Sequence, residues 1–367
     1  MKKLVFLSLL FLVSCKEYRA MMAEETKNIK NEKVYFTDKQ FETVDVSINN
    51  ATHRMFFDTG SGVTMLYKPK FPLSPKKKVR EKSVYGFDKK TKISSFNYSA
   101  DYMATNMFFV KDKYLYVTEA TKNQCDSVPT FDGILGNLSD SDLILELNYE
   151  KGYLQFVDSI ETSGLVALNA KYNDFTGKVS VELEVNGIKD YFLFDTGNKT
   201  MTMLNKEVFK FETPKFYSID FLSKAVGNKL VSVRLDIYSA RVTLGDMAFD
   251  YPVAVDKTSQ RSILNKNFVK KFNWFFDKKN QKAYCKPIDL KRLVADSDNS
   301  RQPKRLLSVV SNDKLLVSYR NFDSSFHVGD EIISIDGVNV TPENNCKFSA
   351  LLNETEDWNR LSIKAER

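Results

Sequence analysis

Phe57-Asp58-Thr59-Gly60 is repeated as Phe194-Asp195-Thr196-Gly197, each copy behind a run that reads as a β-strand. A three-residue motif arises often by chance, but these two copies sit in matched surroundings. Val44-Asp45-Val46-Ser47-Ile48-Asn49 precedes the first and Val181-Glu182-Leu183-Glu184-Val185-Asn186 the second, with 14 positions from Val to Asp in each (58 − 44 and 195 − 181). After the motifs, Thr64-Met65-Leu66 answers Thr202-Met203-Leu204 with one residue inserted. Phe131-Asp132-Gly133-Ile134-Leu135-Gly136 then answers Arg261-Ser262-Ile263-Leu264-Asn265, 76 positions (134 − 58) and 68 positions (263 − 195) beyond the aspartates. Both copies close on aromatic strand-like text, Gly152-Tyr153-Leu154-Gln155-Phe156 and Lys282-Ala283-Tyr284-Cys285. The chain repeats itself, and residues 33–160 and 164–288 are two versions of one lobe.

Val44–Ile48 alternates apolar and polar residues, the period of a half-buried strand. Asn49-Asn50 and Asn186-Gly187 stand where a hairpin turn is needed, and both residue types tolerate positive φ. Arg54–Phe57 and Tyr191–Phe194 return and deliver each aspartate to a tight turn, where glycine lets backbone approach backbone. Ile134-Leu135 and Ile263-Leu264 are short apolar strands suited to packing beside that loop. Many short strands separated by turn signals argue for an all-β architecture.

This combination resembles the pepsin-like and retropepsin-like aspartic peptidases over about 250 residues. The resemblance rests on the paired DTG phrases and the downstream Ile-Leu-Gly in order and at suitable spacing. It implies a mainly β, two-lobed acid-protease-type β-barrel fold in which each aspartate loop is crossed by its Ile-Leu strand and the two loops meet at a pseudo-twofold axis. Two unequal copies in one chain imply an intramolecular site. Asp58 and Asp195 would then flank one bound water and titrate as a coupled pair. The ionised member would act as general base and the protonated member as general acid, with no covalent intermediate, metal or organic cofactor. Thr59 and Thr196 would bond across the axis. Gly60 and Gly197 would complete the turns, and Ser61 would donate to the outer oxygen of Asp58.

The second copy departs from the pattern. Asn198, followed by Lys199, replaces the usual small residue; an amide can still donate to a carboxylate, and Lys199 either favours the ionised pair or points to solvent. Asn265 stands where the first copy has Gly136. These departures favour a rival reading: a catalytically silent, membrane-tethered peptide-binding protein. Family members also carry a lid over the substrate. Val84-Tyr85-Gly86-Phe87-Asp88-Lys89-Lys90 fits its location, with Tyr85 or Phe87 reaching over the cleft or the stretch forming an ordinary surface hairpin. Ala225–Lys229 is the corresponding stretch of the second copy.

The first residues give an address. Lys2-Lys3 precedes an apolar run, Leu4–Val13, too short to span a bilayer and suited to a secretion signal. It ends in Leu12-Val13-Ser14-Cys15, which resembles the lipobox of bacterial lipoproteins. Residues 1–14 are expected to be removed and Cys15 acylated, anchoring the chain in the cell envelope, at the outer membrane, facing the periplasm or the outside. Residues 15–32 read as a polar tether that reaches on the order of 55 Å when extended. Loss of Lys2 and Lys3 takes the formal net charge from +7 to +5 (7 − 2). The lysine clusters at 76–78, 89–90, 270–271 and 278–279 are scattered and carry no nucleic-acid motif, so they read as solvated loops. Cys125, Cys285 and Cys346 allow at most one pair; a Cys125–Cys285 bridge would cross-link the lobes, and buried free thiols are the commoner arrangement. His53 and His327, far apart, argue against a histidine-rich zinc site or a Ser-His triad and read as surface residues.

Lys286–Arg305 is polar and broken by Pro287 and Pro303, and residues 289–305 read as a linker. Residues 306–367 contain Val328-Gly329-Asp330-Glu331-Ile332-Ile333-Ser334-Ile335-Asp336-Gly337-Val338-Asn339-Val340, which resembles the central segment of bacterial PDZ domains. That implies a small PDZ-like α+β domain with Glu331–Ile335 as a strand, a helix around Phe348–Leu352 and a last strand near Leu361–Ala365. Such a module binds an extended peptide by strand addition; the strand Lys314–Tyr319 is the candidate groove lining. Substrate capture and packing on the peptidase lobes both remain open. The expected partners are a peptide or protein substrate, the membrane through Cys15, and a peptide ligand of the PDZ-like domain. The sequence reading is a lipid-anchored aspartic endopeptidase.

Overall fold

A computed structural model describes residues 24–367 apart from 39–41, 68, 86–91, 119–124, 126–130, 137, 139–141, 175, 199–200, 212–216, 225–229, 256–260, 290–305, 322–324 and 356. The chain is mainly β and two-lobed, as an acid-protease-type fold requires. In each lobe the expected hairpin forms. Thr43–Ile48 pairs antiparallel with Ala51–Phe57, and Val179–Val185 with Ile188–Phe194. Asn49 and Asn50 turn the first hairpin with φ of 48° and 64°, and Asn186 and Gly187 the second with 50° and 79°. Two consecutive left-handed residues match the twist of the flanking strands. Val179–Val185 buries every second residue, so the period seen in the sequence is the period of burial.

Each returning strand then takes a parallel partner from far along the chain. Gly133–Leu135 lies beside Ala51–Phe57 with Leu135 opposite Phe57, and Ser262–Leu264 lies beside Ile188–Phe194 with Leu264 opposite Phe194. Gly133 is required at that crossing, because a Cβ there would sit 2.1 Å from the Met65 carbonyl oxygen. The lobes merge in a shared sheet. Val34–Tyr35, Tyr153–Val157 and Ile144–Asn148 come from the first lobe. Phe272–Asp277, Lys282–Pro287 and Val166–Tyr172 come from the second. The seam is antiparallel, with Leu145 opposite Phe276 and Leu147 opposite Trp274. Trp274 is wholly buried and meets Phe194 edge-on at 4.9 Å, so the strand that carries Asp195 rests on this seam.

Charge also crosses between the lobes. Glu42, wholly buried just before the first hairpin, forms ion pairs with Lys266 and Lys270 on the short helix Lys266–Val269 and its C-cap. Burial pushes the Glu42 carboxyl up and the Lys266 amine down, and each partner opposes that drift in the other. Lys270 is therefore part of an interlobe contact and not the solvated loop residue expected. His53 is likewise buried. Its Nδ1 lies 2.9 Å from the Ala51 carbonyl oxygen and its Nε2 accepts from the Lys70 N–H at 3.0 Å.

Within the expected tether, residues 15–32, residues 25–28 are strand. Glu25–Asn28 pairs as a strand with Phe108–Lys111, and Glu24 and Glu25 meet Lys113 and Lys111 at 3.0 and 3.4 Å. Charges that read as solvated are cross-strand ion pairs at a sheet edge. Residues 306–367 form a separate antiparallel unit with its own core of Val310, Leu315, Val317, Ile332, Ile335, Leu352 and Trp358. Glu331–Ile335 is a strand, the helix runs Asn345–Glu354 and the last strand Ile363–Glu366. The strand Lys314–Asn321 pairs at its end with Tyr217–Lys224 of the second lobe, Asp220 opposite Arg320. The Arg320 guanidinium donates to Asp220 Oδ2 at 3.0 and 3.1 Å. The disulfide joins Cys125 to Cys346, not to Cys285, which stays a buried thiol. The C-terminal unit is thus bonded to both lobes.

Replacing Glu42 by Gln leaves two lysines without their buried counter-charge. The expected loss of unfolding free energy is about 3–5 kcal/mol, read as a lower urea midpoint; an unchanged midpoint would contradict the buried ion triad.

Candidate active site

The hairpins bring Asp58 and Asp195 to the ends of their strands, and the crossing strands fix both backbones. The Asp58 N–H donates to the Leu135 carbonyl at 3.0 Å and the Asp195 N–H to the Leu264 carbonyl at 3.3 Å. The loops then bond reciprocally. Thr59 Oγ1 donates to the Phe194 carbonyl and Thr196 Oγ1 to the Phe57 carbonyl, both at 2.8 Å. Each hydroxyl also accepts from the opposite threonine N–H, at 3.0 and 3.1 Å. Both threonines are buried, and each hydroxyl has its donor and its acceptor satisfied.

Carboxylate geometry repeats in the same way. Asp58 Oδ1 accepts from the N–H groups of Gly60 and Ser61 at 2.9 and 3.1 Å, and Asp195 Oδ1 from those of Gly197 and Asn198 at 2.9 and 3.0 Å. The glycines decide how close the loops come. A Cβ on Gly60 would lie 2.3 Å from the Asp195 carboxyl, and one on Gly197 would lie 2.6 Å from the Asp58 carboxyl. Each carboxyl therefore occupies the space that a side chain on the other loop would fill.

The two carboxyls interact directly, and the pair resists double ionisation. Burial pushes both upward, and the Asp58 charge pushes Asp195 further, to about 7. The loop N–H groups and the Lys178 ammonium oppose this. One proton shared by two carboxyls at mildly acid pH can serve as acid on one side and leave a base on the other. Among the described residues no group of histidine, cysteine and acidic side chains is arranged to hold a metal.

Asp58, Thr59, Gly60, Ser61, Asp195, Thr196, Gly197 and Asn198 all meet here. Ser61 differs in detail from the expectation. Its hydroxyl donates to the Val63 carbonyl at 2.8 Å, because the loop folds back through Gly62, and Asp58 receives the Ser61 N–H. Asn198 reaches Asp195 through its backbone and accepts from the Lys266 N–H at 2.8 Å. Asn265 caps the following helix, its Oδ1 accepting from the Phe268 N–H at 3.1 Å and from Thr202 Oγ1 at 3.0 Å. At the expected lid, residues 84–90, the strand Lys78–Tyr85 runs up to Tyr85, opposite Lys92, and residues 86–91 lie outside the described residues. Phe87, Lys199, Cys15 and residues 225–229 lie outside the described residues.

Three neighbours carried no sequence signal. The Tyr67 phenol is pushed upward by burial and by Asp58. Thr176 and Lys178 come from the second lobe and abut Gly62 of the first. The interdigitation across the lobes, which no linear motif encodes, puts them there.

No known family's sequence profile matches this chain, and no curated protein sequence matches it. Among solved structures, the aspartic proteinase from Irpex lacteus resembles it with a TM-score of 0.42 and 13% identity, over 75% of this chain and 100% of that one. A likeness of that size says nothing about activity.

A carboxyl raised from 3.8 to about 7 holds a proton that the unfolded chain has already released. Its stabilising effect is complete below pH about 4 and is lost as pH rises through about 7, on the order of 4 kcal/mol in all. The D195N variant is therefore expected to show a flatter thermal midpoint between about pH 4 and pH 8. Parallel wild-type and D195N curves would show that the pair is not held in this state.

Proposed function

We propose that this protein is an aspartic endopeptidase, held at the bacterial cell envelope by an acyl group on Cys15. The observation that carries the reading is the approach of two half-buried carboxyls, each seated against the other loop's glycine and both pushed upward by desolvation. A water between them would lose a proton to the ionised carboxylate as its oxygen attacks the scissile carbonyl carbon. The protonated partner would donate to the carbonyl oxygen, giving a tetrahedral diol. Return of a proton to the amide nitrogen would then break the C–N bond and leave a carboxylic acid and an amine. The reciprocal threonine bonds support this by holding the carboxyls in place against their repulsion. The silent peptide-binding alternative drew on Asn198 and Asn265. A backbone bond to Asp195 and a helix cap account for both without loss of the site.

The C-terminal PDZ-like unit fits a packing role, since its strand Lys314–Asn321 is bonded to the second lobe. Among the described residues no helix is long and apolar enough to cross a membrane.

With an unfolded protein as substrate, wild type should cleave from acid to mildly acid pH and lose activity above about pH 7, where the pair gives up its shared proton. D58N should lower kcat/KM by at least about 10²–10⁴-fold. Equal cleavage by D58N and wild type would exclude the mechanism. Cys15→Ser should move the full-length chain from the membrane to the soluble fraction of its host; retention in the membrane would exclude lipid as the anchor.

A further inference from the structure

Lys178 enters the site from a turn that holds itself. The Gly177 N–H donates to the Asn173 carbonyl at 2.7 Å, the Asn173 N–H to the Lys178 carbonyl at 2.9 Å, and the Thr176 N–H to Asn173 Oδ1 at 2.8 Å. Gly177 sits at φ 68°, a left-handed position that lets the chain reverse there. Lys178 directly precedes the strand Val179–Val185. In that hairpin Val181 faces Phe192 and Ser180 faces Leu193. Continued two steps, the same register sets Lys178 opposite Asp195. The turn also reaches the other lobe. A Cβ on Gly62 would lie 2.8 Å from the Thr176 side chain and 3.1 Å from Lys178 Cε. Gly62 is two residues beyond Gly60, whose own face is occupied by Asp195. The Lys178 side chain is half-buried, and among the described residues it forms no direct ion pair.

We propose that Lys178 is a positioning residue of the aspartate pair: its ammonium, carried from the second lobe to the loop of the first, supplies the positive charge that offsets the pair's negative charge. The inference rests on the peptidase reading for its kinetic form and on the geometry alone for its electrostatic form. The charges that Lys178 meets are Asp58 on the first loop, Asp195 on the second and Arg261 at the head of the crossing strand Ser262–Leu264. Burial and Arg261 disfavour the ammonium, while the two carboxylates favour it. Tyr67, whose phenol burial and Asp58 push upward, is neutral over the working range. The cation therefore depends on the pair, and the pair on the cation. Because the ammonium stabilises both the singly and the doubly ionised pair, its removal should raise both macroscopic titrations of the pair.

The test is the pH dependence of kcat/KM on one peptide substrate for wild type, K178M and K178R. In K178M both limbs of the profile should move upward by about one pH unit, the size expected for one charge at short range in a partly solvated site. K178R, which keeps the charge, should retain the wild-type limbs. If K178M lowers activity equally at every pH and leaves the limbs where they were, Lys178 is only a structural contact and the proposal fails. If K178M does not fold, K178Q carries the same test. Should wild type hydrolyse nothing, the peptidase reading fails by itself. The inference is then read from carboxyl ¹³C titrations of Asp58 and Asp195 in wild type and K178M. An upward shift supports it, and superimposable titrations overturn it.

Discussion

The structure depends on two threonine hydroxyls that exchange hydrogen bonds between lobes. Thr59 and Thr196 each give a proton to the carbonyl preceding the opposite aspartate and take one from the opposite threonine N–H. Each such bond contributes only about 0.5–1.5 kcal/mol net, but an unpaired buried hydroxyl or carbonyl would cost more. The loops are thus held in one arrangement, and in that arrangement two carboxyls are forced together. Their repulsion and burial would separate them on a looser scaffold. Here burial and mutual charge push both carboxyls upward, which favours one proton staying on the pair.

Around this axis the lobes are alike in backbone and unlike in side chains. The first loop closes on Gly136, where a Cβ would lie 2.7 Å from the Val63 carbonyl oxygen. The second closes on Asn265, which starts a helix, and the helix carries Lys266 and Lys270 to buried Glu42. The departure at Asn265 therefore serves the interlobe contact. The same asymmetry extends to the cations near the site. The turn that presents Lys178 is fixed by Asn173 and Gly177 of the second lobe, and it abuts Gly62 of the first. The C-terminal unit adds two further constraints, a strand pairing to the second lobe and a disulfide to Cys125 of the first.

Much of the fold was legible because its signals are local. Alternation in Val44–Ile48 and Val181–Val185, Asn-rich turns and short apolar strands need only a window of a few residues, and each forms where its pattern stands. The errors fall where long-range contacts reverse a local reading. Glu24 and Glu25 looked like tether but find Lys113 and Lys111 across a sheet edge. His53 looked exposed but lies in the core between the Ala51 carbonyl and the Lys70 N–H. Free buried thiols are the commoner arrangement for Cys125, Cys285 and Cys346, yet Cys125 pairs with Cys346 on the terminal helix and only Cys285 stays free.

The sequence by itself determined that there are two lobes, that each ends a hairpin on an aspartate, and that Thr59, Gly60, Thr196 and Gly197 stand beside those aspartates. Repetition carries that information, and repetition is visible without coordinates. Only the tertiary structure decided that the Ser61 hydroxyl turns to Val63, that Asn265 caps a helix and that Glu42 is neutralised by two lysines. It also decided that Lys178 of the second lobe lies against Gly62 of the first loop. The physical reason is common to all four. Hydrogen bonding, burial and charge pairing depend on which atoms are a few ångströms apart, and across the lobe interface that distance bears no relation to separation along the chain.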